Sequence, residues 1–177
     1  MLAPSRSSLF RNWWPVVFWL GVIRAESTDT ASSANTGALL YKVITTVAPH
    51  ASPSLVEQLN AVLRKTGHFL GYAILSALVL LALRLTNRDR LRPLLQRAWG
   101  TRLHDYWRWE WAVLGIVLTA YTAALDEFHQ TFIPSRTGRW QDVVLDTGGA
   151  IAMQVVLYLM AAHSSRKHAP ELQPEPQ

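Results

Sequence analysis

At 177 residues the chain has the length of one domain or one small membrane bundle, and with half its residues hydrophobic and 16% charged it is too poor in charge for an ordinary soluble domain. It contains no cysteine, which excludes disulfides and thiolate metal sites. The formal charge of +5 fits a nucleic-acid binder, but the basic residues flank apolar runs, which is the pattern of membrane topology, so no nucleic-acid partner is expected.

In chain order, Trp13 to Ile23 is the first apolar run, eleven residues between Arg11 and Arg24. Eleven helical residues rise roughly 16 Å, about half of a ~30 Å hydrocarbon core, so this run spans only if the arginines snorkel. It reads as a retained signal anchor, with a cleaved secretory signal as the alternative. Thr36 to Val47 then sets Leu39, Leu40, Val43, Ile44 and Val47 at helical spacing, which predicts an extracytoplasmic amphipathic helix on the bilayer surface, or a packed loop helix.

Ser54-x-x-Glu57 reads as a capping box that starts a helix at Leu55, with the second span at Gly67 to Leu83. Gly67 and Gly71, with Gly148 and Gly149 in the last span, suggest close helix approach, and Lys65, His68, Tyr72 and Ser76 fall on one stripe. Arg84 to Arg108 is predicted to be a basic loop, and Tyr106 to Trp111 an aromatic belt before a third span that ends near Leu125. Phe132 to Gly138 reads as a turn. Val143 to Ala162 is the fourth span, after which 163–177 is a disordered cytoplasmic tail. The expected fold is therefore an all-α, polytopic bundle of about four transmembrane helices occupying residues 10–162. Eleven basic residues on one side against six on the other place both termini in the cytoplasm of an inner membrane.

Asp126, Glu127, Gln130, Arg136, Asp142 and Asp146 lie between apolar runs that reject charge, at about 2.5–3.5 kcal/mol per ionised group at mid-membrane. Counting from the end of each span, His68, Asp126 and Asp146 all fall ~22–24 Å deep, in one layer. Lys65, Tyr72, Glu127, Gln130, Arg136 and Asp142 border it. Opposite charges sharing such a layer persist where single ones would neutralise.

Lys65-x-x-His68-x-x-x-Tyr72, followed by Asp126-Glu127-x-x-Gln130-x-Phe132-x-Pro134-x-Arg136-x-Gly138-x-x-x-Asp142-x-x-x-Asp146-x-x-Gly149, resembles the VanZ-like membrane proteins from Trp13 to about Met160. The resemblance implies a bacterial protein of four or five helices, of a family named for resistance to the glycopeptide teicoplanin. It implies fold and location, and no chemistry. Met153 stands where a glycine is common in that family, and the basic loop is long for it.

Three functions compete. The first is binding or remodelling of a membrane lipid or lipid-linked envelope precursor at the outer leaflet, with Arg64, Lys65 and Arg136 holding phosphate or carboxylate. The second is an intramembrane enzyme with Asp126 or Glu127 as base and His68 as acid, or with His68 and the acids on a metal. No His-x-x-x-His spacing and no marked nucleophile supports it, so no metal or cofactor is expected. The third is a scaffold whose charges join helices, in this chain or with other membrane proteins.

Overall fold

The computed structural model describes residues 6–27, 33–95, 107–134 and 138–167. Among these residues the chain forms five helices and no strand: α1 (Arg6–Glu26), α2 (Ser33–Val47), α3 (Pro53–Leu95), α4 (Trp109–Gln130) and α5 (Trp140–Lys167). It is an all-helical bundle of the membrane type. Three segments are long and apolar enough to cross a membrane: Pro53–Thr86, Trp109–Gln130 and Trp140–Ser164. Their outward faces carry Val113, Val117, Tyr121 and Leu125 on α4 and Ile151, Val155 and Leu159 on α5, all exposed. Apolar surface that continuous is unfavourable in water and ordinary in lipid.

Helix α3 is the hub and packs against each of the other four. Its start is set by Ser52, whose Oγ accepts the Leu55 N–H at 3.3 Å, with Pro53 as the first helical residue. The predicted cap at Ser54 is thereby corrected: proline's fixed φ suits the first helical turn, and the hydroxyl before it takes the free amide. The helix also runs through Arg84 to Leu95, so the first part of the predicted basic loop is helical; leucine and arginine both favour helix. Residues 96–106 of that loop lie outside the described residues. At 43 residues α3 is about 64 Å long, twice the ~30 Å hydrocarbon core.

Helix α1, 21 residues long, is not apolar enough to count as a span by composition, yet it lies within the bundle. Val16 and Ile23 are buried with Tyr72, Leu75, Val79, Ala82 and Leu83 of α3 and Ala123 of α4. The Trp13 indole donates to Thr86 Oγ1 at 3.1 Å, and the Trp19 indole donates to the Gly71 carbonyl at 2.8 Å. Helix α2 packs on the early part of α3 and leaves Leu39, Val43 and Val47 exposed along one line. Helix α5 continues to Lys167, so the predicted tail is helical at its start, and 168–177 lie outside the described residues.

Of the four glycines expected to allow close approach, Gly149 is the one on which the contact of α3 and α5 depends. A Cβ at Gly149 would run into the backbone carbonyl of Phe69, whereas Gly67 and Gly71 have open space. This contact brings the early half of α5 against the α3 turn that carries His68.

Candidate functional site

The helix ends define two polar regions. At one end Trp13 meets Thr86 and Trp107 meets Gln154; at the other Ser27 meets Asp126, His68 meets Asp146 and Glu127 meets Arg139. The second end holds the predicted residues.

His68 comes from α3, Asp126, Glu127 and Gln130 from the last turns of α4, and Asp142 and Asp146 from the first turns of α5. Each is delivered by the helical periodicity that also buries its apolar neighbours. His68 Nδ1 lies 3.6 Å from Asp146 Oδ2. The two are 18% and 1% exposed. Glu127, 5% exposed, is fixed from two sides: Gln130 Nε2 donates to Oε1 at 3.3 Å, and the Arg139 backbone N–H donates to Oε2 at 2.8 Å. The second bond depends on Gly138, where a Cβ would collide with the Glu127 carbonyl, so only glycine lets the α5 entry lie this close to α4.

Asp126 turns the other way, towards α1. The Ser27 hydroxyl donates to its Oδ2 at 2.5 Å, Gln130 Nε2 donates to the same oxygen at 2.9 Å, and Arg24 Nη1 stands 3.7 Å from Oδ1. Glu127 rather than Asp126 therefore joins His68 and Asp146. Consecutive residues on a helix are about 100° apart, so α4 serves two neighbours at once, and Gln130 bridges the two carboxylates.

A cavity of about 240 Å³ opens beside the first group. Its lining includes Arg64, Lys65, His68, Glu127, Gln130, Arg139 and Asp142, so cations and anions face one another across it. Tyr72, 1% exposed, stacks on His68 with ring centroids 6.4 Å apart, and its hydroxyl has no hydrogen-bond partner. Neither oxygen of Asp146 nor Nδ1 of His68 has one. Buried polar groups are almost always satisfied, and an unmatched set gathered beside a cavity is the signature of a binding site. Arg136 lies outside the described residues.

Ser76, the fourth member of the predicted α3 stripe, is at the other end. Gln154 Nε2 donates to its Oγ at 2.8 Å and to its carbonyl at 3.1 Å, and Trp107 Nε1 donates to Gln154 Oε1 at 3.3 Å. Sequence reasoning missed Gln154, although a lone amide in an apolar run is the signal that finds it. It missed Ser27 as well, which belongs to a serine- and threonine-rich segment with no periodicity to single it out. In the sequence Arg24 is only the flank of the first run and, like Arg139, one basic residue in the topology count.

His68, Glu127 and Asp146 each present a ligand atom within 4.8 Å of the others, a grouping able to hold a metal ion. The expectation of no metal site rested on the absence of a compact spacing; here the three donors come from three helices, and no spacing encodes that. No curated protein and no solved structure matches the chain. The family model described as VanZ/LLP1 matches residues 12–161, which include every residue of the site, and the chain therefore belongs to the VanZ/LLP1 family.

Proposed function

We propose that the chain binds the charged head group of an envelope amphiphile, a membrane lipid or a lipid-linked precursor, in the cavity between α3, α4 and α5. The observation that carries this reading is the mixed lining: Arg64, Lys65 and Arg139 for phosphate or carboxylate, and Glu127 and Asp142 for an ammonium or hydroxyl. The volume of about 240 Å³ lies below the ~300–1,000 Å³ typical of whole drug-sized ligands, so the cavity suits a head group with its tails left in lipid. The exposed apolar faces of α4 and α5 supply the surface for those tails. An effect on teicoplanin susceptibility accords with the family name and with a site that engages envelope precursors.

In this reading α1 is a fourth span retained in the bundle, since its loss would uncover Ile23 and Val16 and strip Ser27 from Asp126. Both termini face the cytoplasm of the inner membrane, and the cavity and α2 lie on the outer side, following the basic-residue asymmetry. Cysteine placed at Asn87 should resist an impermeant thiol reagent in intact cells, and cysteine at Ser135 should react; the reverse pattern refutes this orientation.

The binding test is native mass spectrometry of the purified protein with anionic and zwitterionic phospholipids and with an undecaprenyl-linked phosphate. Wild type should retain one of these classes selectively, and Lys65→Ala together with Arg64→Ala should weaken it about 10- to 100-fold, the worth of one or two charge-assisted contacts. Equal retention of every lipid by wild type and variant refutes the reading.

A further inference from the structure

We propose that His68, Glu127 and Asp146 form a binding site for one divalent first-row transition-metal ion, such as Zn²⁺ or Mn²⁺, on the inner wall of the cavity. The inference stands on the donor geometry and does not rest on the head-group reading. Three donors reach one point from α3, α4 and α5, with their ligand atoms all within 4.8 Å of one another. Ligands around a four-coordinate ion at ~2.0–2.2 Å lie about 3.4 Å apart. His68 Nδ1 and Asp146 Oδ2, at 3.6 Å, already have nearly that separation, and side-chain rotation of the order of 1 Å brings in the third donor.

Two further observations point to a cation. Asp146 is 1% exposed, and both of its oxygens lack a hydrogen bond, as does the facing His68 Nδ1. Among the described residues no lysine or arginine side chain forms an ion pair with Glu127 or Asp146. Two carboxylates in a low-dielectric interior carry two negative charges, and a proton on His68 would offset one of them; a divalent ion offsets both. The hydrogen bonds from Gln130 and from the Arg139 amide hold Glu127 in place, as outer-shell partners of metal ligands do. Two of the three donors, His68 and Glu127, also line the cavity, so an ion has a path in. One imidazole with two carboxylates favours Zn²⁺ or Mn²⁺ over the all-oxygen preference of Ca²⁺.

The test uses the full chain in detergent, stripped with a chelator and titrated with Zn²⁺, Mn²⁺ and Ca²⁺ by calorimetry and thermal melting. Wild type should bind one Zn²⁺ or Mn²⁺ per chain, and at a hundredfold excess over Kd its Tm should rise by about 5–10 °C. Asp146→Asn and Glu127→Gln should each weaken binding at least tenfold, while Glu110→Gln, a carboxylate at the other end paired with Arg108, should match wild type. Two isosteric ligand variants are included so that misfolding of one leaves the test intact. No saturable Zn²⁺ or Mn²⁺ binding by wild type, equal affinity for Ca²⁺, or unchanged binding in both ligand variants overturns the proposal. Lipid retention by the stripped protein is measured separately, so a failed metal site and a failed head-group site give different results.

Discussion

The two ends of the bundle differ in how far their buried polar groups are matched. Around Ser76, Gln154 and Trp107 the hydrogen bonds close on one another across α3, α5 and the start of α4, and beside them Arg108 pairs with Glu110 at 3.0 Å and covers Trp111 at 4.9 Å, with only its Nη1 left without a hydrogen bond. Around His68 and Asp146 more is left open: both Asp146 oxygens, His68 Nδ1 and the Tyr72 hydroxyl lack hydrogen bonds, and His68 and Asp146 meet only as a charge pair at 3.6 Å. Interhelical bonds in a membrane typically contribute about 0.6 kcal/mol each, so the matched end joins helices and the unmatched end does something else. The unmatched end is the one that adjoins the mixed-charge cavity.

The largest expected effect comes from forcing the helices apart where the open end is assembled. Gly149→Val puts a branched side chain against the Phe69 carbonyl, and overpacking against backbone that cannot rotate away costs about 3 kcal/mol or more, the top of the usual range. The Tm should fall by about 5–10 °C, with lipid retention lost as α5 moves off His68. A variant that melts like wild type would show that α3 and α5 do not approach there.

Next in size is the link between the site and α1. Ser27→Ala removes a bond to the buried carboxylate of Asp126, worth about 1.5–3 kcal/mol for a charged acceptor. Arg24→Ala should cost less, because Arg24 is half exposed and its pairing with Asp126 is screened. Thermal melts of both variants rank the two contacts, and a larger loss at Arg24 would reverse this assignment.

The smallest effects sharpen the comparison most. Gln154→Leu at the matched end should lower stability by about 0.6–2 kcal/mol, since Trp107 and Ser76 lose their partner. Asp146→Asn at the open end should leave the metal-free protein as stable as wild type, or more so, because it removes a buried charge that has no matched hydrogen bonds. Chemical or thermal denaturation of the pair measures this directly. If Asp146→Asn destabilises the stripped protein more than Gln154→Leu does, the open end is structural after all.

The residues of the open end were readable in advance because charge inside apolar runs is costly and therefore conspicuous. His68, Glu127, Asp142 and Asp146 are singled out that way and Tyr72 and Gln130 by the helical stripes they share, while helical rise puts His68 and Asp146, together with Asp126, at a common depth. Ser27 and Gln154 escaped notice for the converse reason, being neutral residues whose importance lies only in what they touch. The sequence pattern puts the start of α3 two residues late, because Ser54-x-x-Glu57 competes with the stronger pairing of Ser52 and Pro53 immediately before it.

By itself the sequence determined the class of the protein: apolar runs demand a helical membrane bundle, because a backbone in lipid must satisfy its own hydrogen bonds. It also determined which side chains were too expensive to be there by accident. The tertiary structure decided which of them face one another. Asp126 and Glu127 are neighbours in the chain, yet one rotation of about 100° sends the first to Ser27 and Arg24 on α1 and the second to His68 and Asp146. That choice depends on the rotation of α4 about its axis and on how closely α5 can approach α3 at Gly149. Both are set by packing among several helices at once, which no local pattern in one of them encodes.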